Sequence, residues 1–179
     1  PNGYIQFVRA GEKPPSQLPT RRTLAGLLHT APDWILQADL PGSSIDFPED
    51  MALTTQRPDI LLYSTSTKQA VLAELTSPFE DRVSIAHAIK TDKYQGLRTE
   101  MILNDWTTTL LAFEVGSRGF IPPSLRHLLL TLGLPSADAR KATDACAIQA
   151  LRASYIIYLS RSLPDWNRPA EAPAAPGRQ

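Results

Sequence analysis

A single cysteine, Cys146, leaves the chain unable to form a disulfide framework or a cysteine-rich zinc site within itself. That usage fits a reducing compartment. Net charge is also missing, because eighteen basic residues balance eighteen acidic ones over 179 residues. Nothing then draws nucleic acid to the protein as a whole, and any such binding must come from a local patch. The balance argues against a dedicated DNA-binding protein, and less against an enzyme whose carboxylates hold metal ions. No run approaches the roughly 18 apolar residues of a membrane span. No basic segment followed by an apolar one opens the sequence, so no secretory signal is read there. The first residue is Pro1, not methionine, which leads us to expect a fragment of a longer protein whose targeting signals lie elsewhere.

What is present suits one folded domain with loose ends. Hydrophobic residues make up 42% of the chain, enough for a core. Residues 1–19 hold four prolines and two glycines and read as an extended connector. The folded domain is expected over 20–163. After Pro164 the Pro/Ala-rich sequence "NRPAEAPAAPGRQ" reads as a disordered tail over 164–179. A helix is expected over 21–30 with Thr20 as N-cap and Leu24, Leu27 and Leu28 as its apolar stripe. Residues 31–57 read as irregular, pinned to the core by Trp34, Ile35, Leu40 and Phe47, with a short strand near 51–55. "DILLYS" (59–64) and "AVLAELT" (70–76) are strands joined by a five-residue turn. Ser77 as N-cap, Pro78 at the first helical position, and Glu80 and Asp81 in the first turn predict a helix running to about Arg98. "TTTLLAFEV" (107–115) is a third strand, and helices follow over about 123–132 and 136–162. The order of elements predicts an α/β fold with a small mixed β-sheet flanked by helices.

One constellation carries chemistry. With a turn at 65–69, Asp59 falls opposite about position 75, so Asp59 and Glu74 should be neighbours across paired strands. Adjacent carboxylates repel unless a cation lies between them, and hard oxygen ligands suit Mg²⁺. Glu74 interrupts a core strand, where an unpartnered carboxylate is costly; a metal or a lysine would stabilise it. On the following helix Lys90 and Tyr94 share a face with His87. There Lys90 could orient an attacking water or offset charge building on a phosphate. Lys93 lies near this face and Arg118 sits between two glycines; both are candidate phosphate contacts. Plainer readings exist for each. Asp59 would then serve as a turn cap, Glu74 and Lys90 as a buried salt bridge, His87 as a structural helix residue, Tyr94 as a core-edge aromatic, and Arg118 as an exposed turn residue. Cys146 reads as a buried small side chain. The apolar stripe Ala147, Leu151, Tyr155 and Leu159 reads first as core packing and second as a partner surface.

The segments "RPDILLY" (57–63), "AVLAELTSPFEDR" (70–82) and "KTDKY" (90–94) together resemble a PD-(D/E)xK core. With "FVRAGEKP" (7–14), "WILQADL" (34–40) and "FEVGSRGF" (113–120), the chain over roughly 5–150 resembles a domain found downstream of reverse transcriptase in animal retroelement polyproteins. It is also similar to the restriction-enzyme-like endonuclease of site-specific non-LTR retrotransposons. The resemblance implies a restriction-endonuclease-like core and a Mg²⁺- or Mn²⁺-dependent endonuclease that nicks target DNA. Asp59 and Glu74 would be the metal ligands and Lys90 a catalytic lysine moved onto the helix. Tyr94 would complete the catalytic set, and Lys93 would assist it. The implied partners are DNA and the reverse transcriptase of the same polyprotein, and the implied location is the host nucleus, with the cytoplasm as alternative. Two departures stand out: Thr76 occupies the position of the motif lysine, and no upstream cysteine/histidine knuckle is present. Two other readings follow from them, a catalytically inactive module of the same fold that binds nucleic acid or docks the polymerase, and a purely structural domain.

Overall fold

The apolar runs in the middle of the chain form the centre of the sheet in the computed structural model, which describes residues 7–13, 26–40 and 45–163. Among the described residues four strands, β1 (Ile35–Ala38), β2 (Ile60–Ser64), β3 (Gln69–Thr76) and β4 (Thr107–Glu114), lie in the order β1-β2-β3-β4. The first three are antiparallel neighbours, whereas β4 runs parallel to β3. A parallel neighbour requires a crossover, which α1 (Val83–Lys93) and α2 (Gln95–Leu103) supply. α3 (Pro123–Leu132) and α4 (Ser136–Ser160) follow β4. The fold is therefore α/β, with a small mixed sheet flanked by helices.

Alternation along β3 divides the core between the two faces. Ala70 and Leu72 pack with Tyr94, Leu97, Met101 and Trp106 beneath α1 and α2. Val71 and Ala73 turn the other way, toward Leu28 and the α3 residues Leu125 and Leu128. A strand covered on both faces reads as a nearly unbroken apolar run, and that is why β3 is conspicuous in the sequence. The β2–β3 turn is clamped by Asp33, whose carboxylate accepts from the Ser64 and Ser66 hydroxyls at 2.6 Å and from the Ser66 N–H at 2.9 Å. These donors, the Ser64 hydroxyl foremost, hold the Asp33 carboxyl well below the usual carboxylate range.

Several expectations need correction. Residues 35–38 form the edge strand β1, not an irregular stretch, while 51–55 is not a strand. Met51 and Ala52 are core residues, and Asn104 donates to the Met51 carbonyl, so side-chain packing takes the place of a ladder there. Ile35 and Leu40 do not pin this region, since both are exposed. The helix expected to run unbroken to Arg98 starts later, after a 3₁₀ turn at Glu80–Arg82, and breaks at Tyr94. Ser77 makes no cap; Phe79 precedes the 3₁₀ turn. Of the helix expected over 21–30, residues 21–25 lie outside the described residues, and Leu27–His29 is a 3₁₀ turn. Most of the 1–19 connector and all of the 164–179 tail also lie outside them; residues 7–13 have no regular structure beyond a turn at 10–11. The α4 stripe beyond position 150 is exposed, not core.

Gly133 ends α3 in the left-handed conformation, φ 106°, as its position after the last apolar residue predicts. Gly26 meets it backbone to backbone: a Cβ on Gly26 would lie 2.2 Å from the Gly133 Cα. Neither backbone can yield as a flexible side chain would. We expect Gly26→Ala to cost about 3 kcal/mol, the upper part of the usual overpacking range, and to lower the melting midpoint by several degrees. A melting curve superimposable on wild type would contradict this packing.

Candidate functional site

Register places the key carboxylates. Ile60 lies opposite Ala73, so Asp59 and Glu74 stand next to one another across β2 and β3 and on one face of the sheet, the face toward α1. Their main chains and side chains interlock. The Asp59 N–H donates to Glu74 Oε2 at 2.9 Å, and the Leu75 N–H donates to Asp59 Oδ2 at 2.7 Å. Glu74 is 1% exposed, whereas Asp59 is half-buried at the rim.

A sealed carboxylate needs a cationic partner, and α1 provides one. Lys90 Nζ donates to Glu74 Oε1 at 2.5 Å, and Lys93 Nζ stands 3.7 Å from the same oxygen. Lys93 also donates to the Tyr94 hydroxyl at 2.8 Å and lies 4.5 Å from its ring centroid. Tyr94 is fully buried at the break between α1 and α2, and its hydroxyl donates to the Arg57 carbonyl at 2.7 Å. Burial, followed by the nearby Glu74 charge, pushes the Tyr94 phenol far above its ordinary range, so it stays protonated and acts as a donor. Five of the sequence-selected residues, Asp59, Glu74, Lys90, Lys93 and Tyr94, thus meet at one place. The helix break seats Tyr94 as a wedge under the site and not as one more residue on an exposed helix face.

Arg118 does not join them. Its guanidinium is taken up by Glu80, donating from Nε at 2.8 Å and from Nη2 at 2.5 Å, and its N–H donates to Glu80 Oε1 at 3.1 Å. This pairing ties the loop after β4 to the 3₁₀ turn after β3. The Arg118 hydrogen bond, first among the causes, holds the Glu80 carboxyl below its usual range.

One buried acid is missing from the sequence-based set. Glu114, opposite Thr76 in the β3–β4 register and therefore on the Glu74 face, is 1% exposed. Its Oε1 is 2.8 Å from His87 Nδ1, and its Oε2 accepts from the Ser124 hydroxyl at 2.5 Å. The signal was in the sequence: like Glu74, Glu114 is a carboxylate interrupting an apolar strand. His87, one turn before Lys90 on α1, leans on this second acid and not on the first.

Carboxylate oxygens such as those of Asp59 and Glu74 could hold a divalent ion of the hard, oxygen-loving kind. Two carboxylates from paired strands converge, and the inner one already sits against positive charge supplied by Lys90. Mg²⁺ commonly takes one or two protein carboxylates and completes its shell with water and phosphate oxygens. Among the described residues no group of three or more His, Cys, Asp or Glu gathers as a self-sufficient metal cage. Also among the described residues, no helix is long and apolar enough to cross a membrane. Compared with known proteins, the chain matches no family model and no curated protein.

Proposed function

We propose that this chain is a metal-dependent endonuclease domain of the restriction-endonuclease-like class, which hydrolyses DNA phosphodiester bonds and nicks target DNA for a retroelement in the host nucleus. The observation that carries this reading is the convergence of Asp59 and Glu74 on one sheet face with the Lys90 ammonium on Glu74. Asp59 and Glu74 would hold Mg²⁺ or Mn²⁺, which supplies Lewis-acid polarisation of a phosphoryl oxygen and lowers the pKa of a bound water. Lys90, fixed by Glu74, presents an ammonium to charge developing on the phosphate. Lys93, about half exposed, lies at the mouth of the site where a backbone phosphate would pass. Tyr94 holds the Arg57 carbonyl and braces Lys93, which makes it a positioning residue in this scheme. Arg118, bound to Glu80, would touch DNA only at the margin.

A catalytically inactive module of the same fold, binding nucleic acid or docking the polymerase, is the second reading. It is favoured by the closed Lys90–Glu74 pair, which satisfies the inner carboxylate without a metal, and by Thr76 at the motif-lysine position. A nicking assay on supercoiled plasmid with Mg²⁺ or Mn²⁺ separates the two. The endonuclease reading expects wild type to convert supercoiled to relaxed circles and Glu74→Ala to leave them intact. Wild type that is inert with both metals, or a Glu74→Ala variant as active as wild type, would reject it.

A further inference from the structure

α1 has no buried residue, yet it meets two sealed carboxylates of the sheet, Glu74 through Lys90 and Glu114 through His87. Metal binding and the Lys90 ammonium employ the first pair, and the second has no part in them. Glu114 is fixed from both sides. The Ser124 hydroxyl donates to its Oε2 at 2.5 Å, which leaves Oε1 for His87 Nδ1 at 2.8 Å. A carboxylate can only accept, so Nδ1 carries a proton. The His87 side chain is itself 47% exposed. With Nδ1 held against the acid, Nε2 lies at the far edge of the ring, and among the described residues it has no hydrogen-bond partner. A carboxylate on one ring nitrogen sets the orientation and tautomer of an imidazole whose other nitrogen exchanges protons.

We propose that His87 is the general acid of the reaction and gives its Nε2 proton to the 3′ oxygen that leaves phosphorus, a role that rests on the endonuclease reading above. Glu114 and Ser124 are then positioning residues. Place supports the assignment. His87 and Lys90 lie three apart on one helix face, where Cβ atoms are about 5–6 Å apart. Glu114 stands on the Glu74 face, one strand over and two residues further along the register. The imidazole is therefore the next polar group along α1 from the ammonium that faces the phosphate. Chemical need supports it too. A departing alkoxide is strongly basic, and neither the metal ligands nor Lys90 is assigned to protonate it, whereas an imidazole can donate near neutral pH. In the step, a water oxygen bonds to phosphorus as the P–O3′ bond breaks. The proton lost by that water passes to solvent. The doubly protonated His87 ring gives its Nε2 proton to O3′, keeps Nδ1–H on Glu114, and is reloaded from solvent. The products are a 5′ phosphate and a 3′ hydroxyl, the end that a reverse transcriptase extends.

The test compares wild type and His87→Gln on two DNA duplexes, one ordinary and one with sulfur in place of the 3′ bridging oxygen at a bond that wild type cuts. A thiolate leaves without a proton, because a thiol is far more acidic than an alcohol. The Gln amide can still donate to Glu114, so the buried acid is not stranded. On the ordinary duplex His87→Gln is expected to lower kcat about a hundredfold with KM little changed. On the sulfur duplex the two proteins are expected to cut at similar rates. Full activity of His87→Gln on the ordinary duplex overturns the proposal, and so does an equal loss on both, which marks a structural role. Wild type that nicks no DNA with Mg²⁺ or Mn²⁺ overturns the endonuclease reading itself, and the role of His87 falls with it. Nitrogen NMR of the free protein reads the dyad without any activity. At alkaline pH, where the ring is neutral, its one proton is expected on Nδ1; a proton on Nε2 instead overturns the arrangement.

Discussion

Lys90→Met is expected to destabilise the domain by about 3 kcal/mol. Removing one member of a buried ion pair leaves the other charged and poorly solvated, which costs about 3–5 kcal/mol in measured cases. Glu74 is sealed and its Oε1 has Lys90 at 2.5 Å, so the loss is large; Lys93, 3.7 Å from the same oxygen, keeps it at the lower end. Urea denaturation gives the number directly. The companion variant Glu74→Met/Lys90→Met removes both charges and is expected to recover at least half of the loss, because well-packed apolar pairs often match the ion pairs they replace. The Asp59 N–H loses its acceptor in that variant, which keeps recovery incomplete. A Lys90→Met midpoint within about 0.5 kcal/mol of wild type would show that Glu74 does not depend on this amine. In the nicking assay Lys90→Met is expected to lose about a hundredfold or more, the effect of removing one donor aimed at developing charge. Lost stability with full nicking would make Lys90 structural only.

The second large effect separates function from folding. Asp59 is half-buried and its side chain accepts from the Leu75 N–H, one hydrogen bond among the described residues, so Asp59→Ala is expected to cost only about 1 kcal/mol. The same change removes one of the two proposed metal ligands and is expected to abolish Mg²⁺-dependent nicking, a loss of at least about a hundredfold. Binding to the folded state alone raises its stability by about 1.4 kcal/mol at ten times the dissociation constant, a rise of roughly 3–6 °C for a chain of this size. Wild type is expected to show such a rise on adding Mg²⁺ or Mn²⁺, and Asp59→Ala to show none. A metal-induced shift of equal size in both proteins would place the ion somewhere other than Asp59. Glu74→Ala cannot make this distinction so cleanly, because it also strips the buried partner of Lys90.

Much of the sheet was legible because its strands are unusual stretches of sequence. β2 and β3 stand out as apolar runs on either side of a Ser/Thr turn, and β4 as a β-branched run; all three fall within one or two residues of their expected limits. The Asp59–Glu74 pairing followed from counting back from the turn, since hairpin register is fixed by loop length. β1 escaped because it is a four-residue edge strand with little apolar content facing inward. The break in the α1–α2 helix escaped because its local mark is weak: Gly96 follows two residues later, but a single glycine is tolerated within a helix, and neither proline nor a cap lies at Tyr94. Its hydroxyl is anchored instead to Arg57, 37 residues away.

The sequence by itself determined which residues are available for chemistry. Two carboxylates stand in or directly beside apolar strands, helix-start residues follow the second, and lysines recur at spacings that bring them to one helix face. Periodicity and the cost of burying charge are local properties, so one chain suffices to read them. Only the tertiary structure decided the partners. It gave Lys90 to Glu74, His87 to Glu114 and Arg118 to Glu80. Those outcomes depend on how helices are set over the sheet, through contacts between residues far apart in the chain, and no spacing within a helix or strand contains that information.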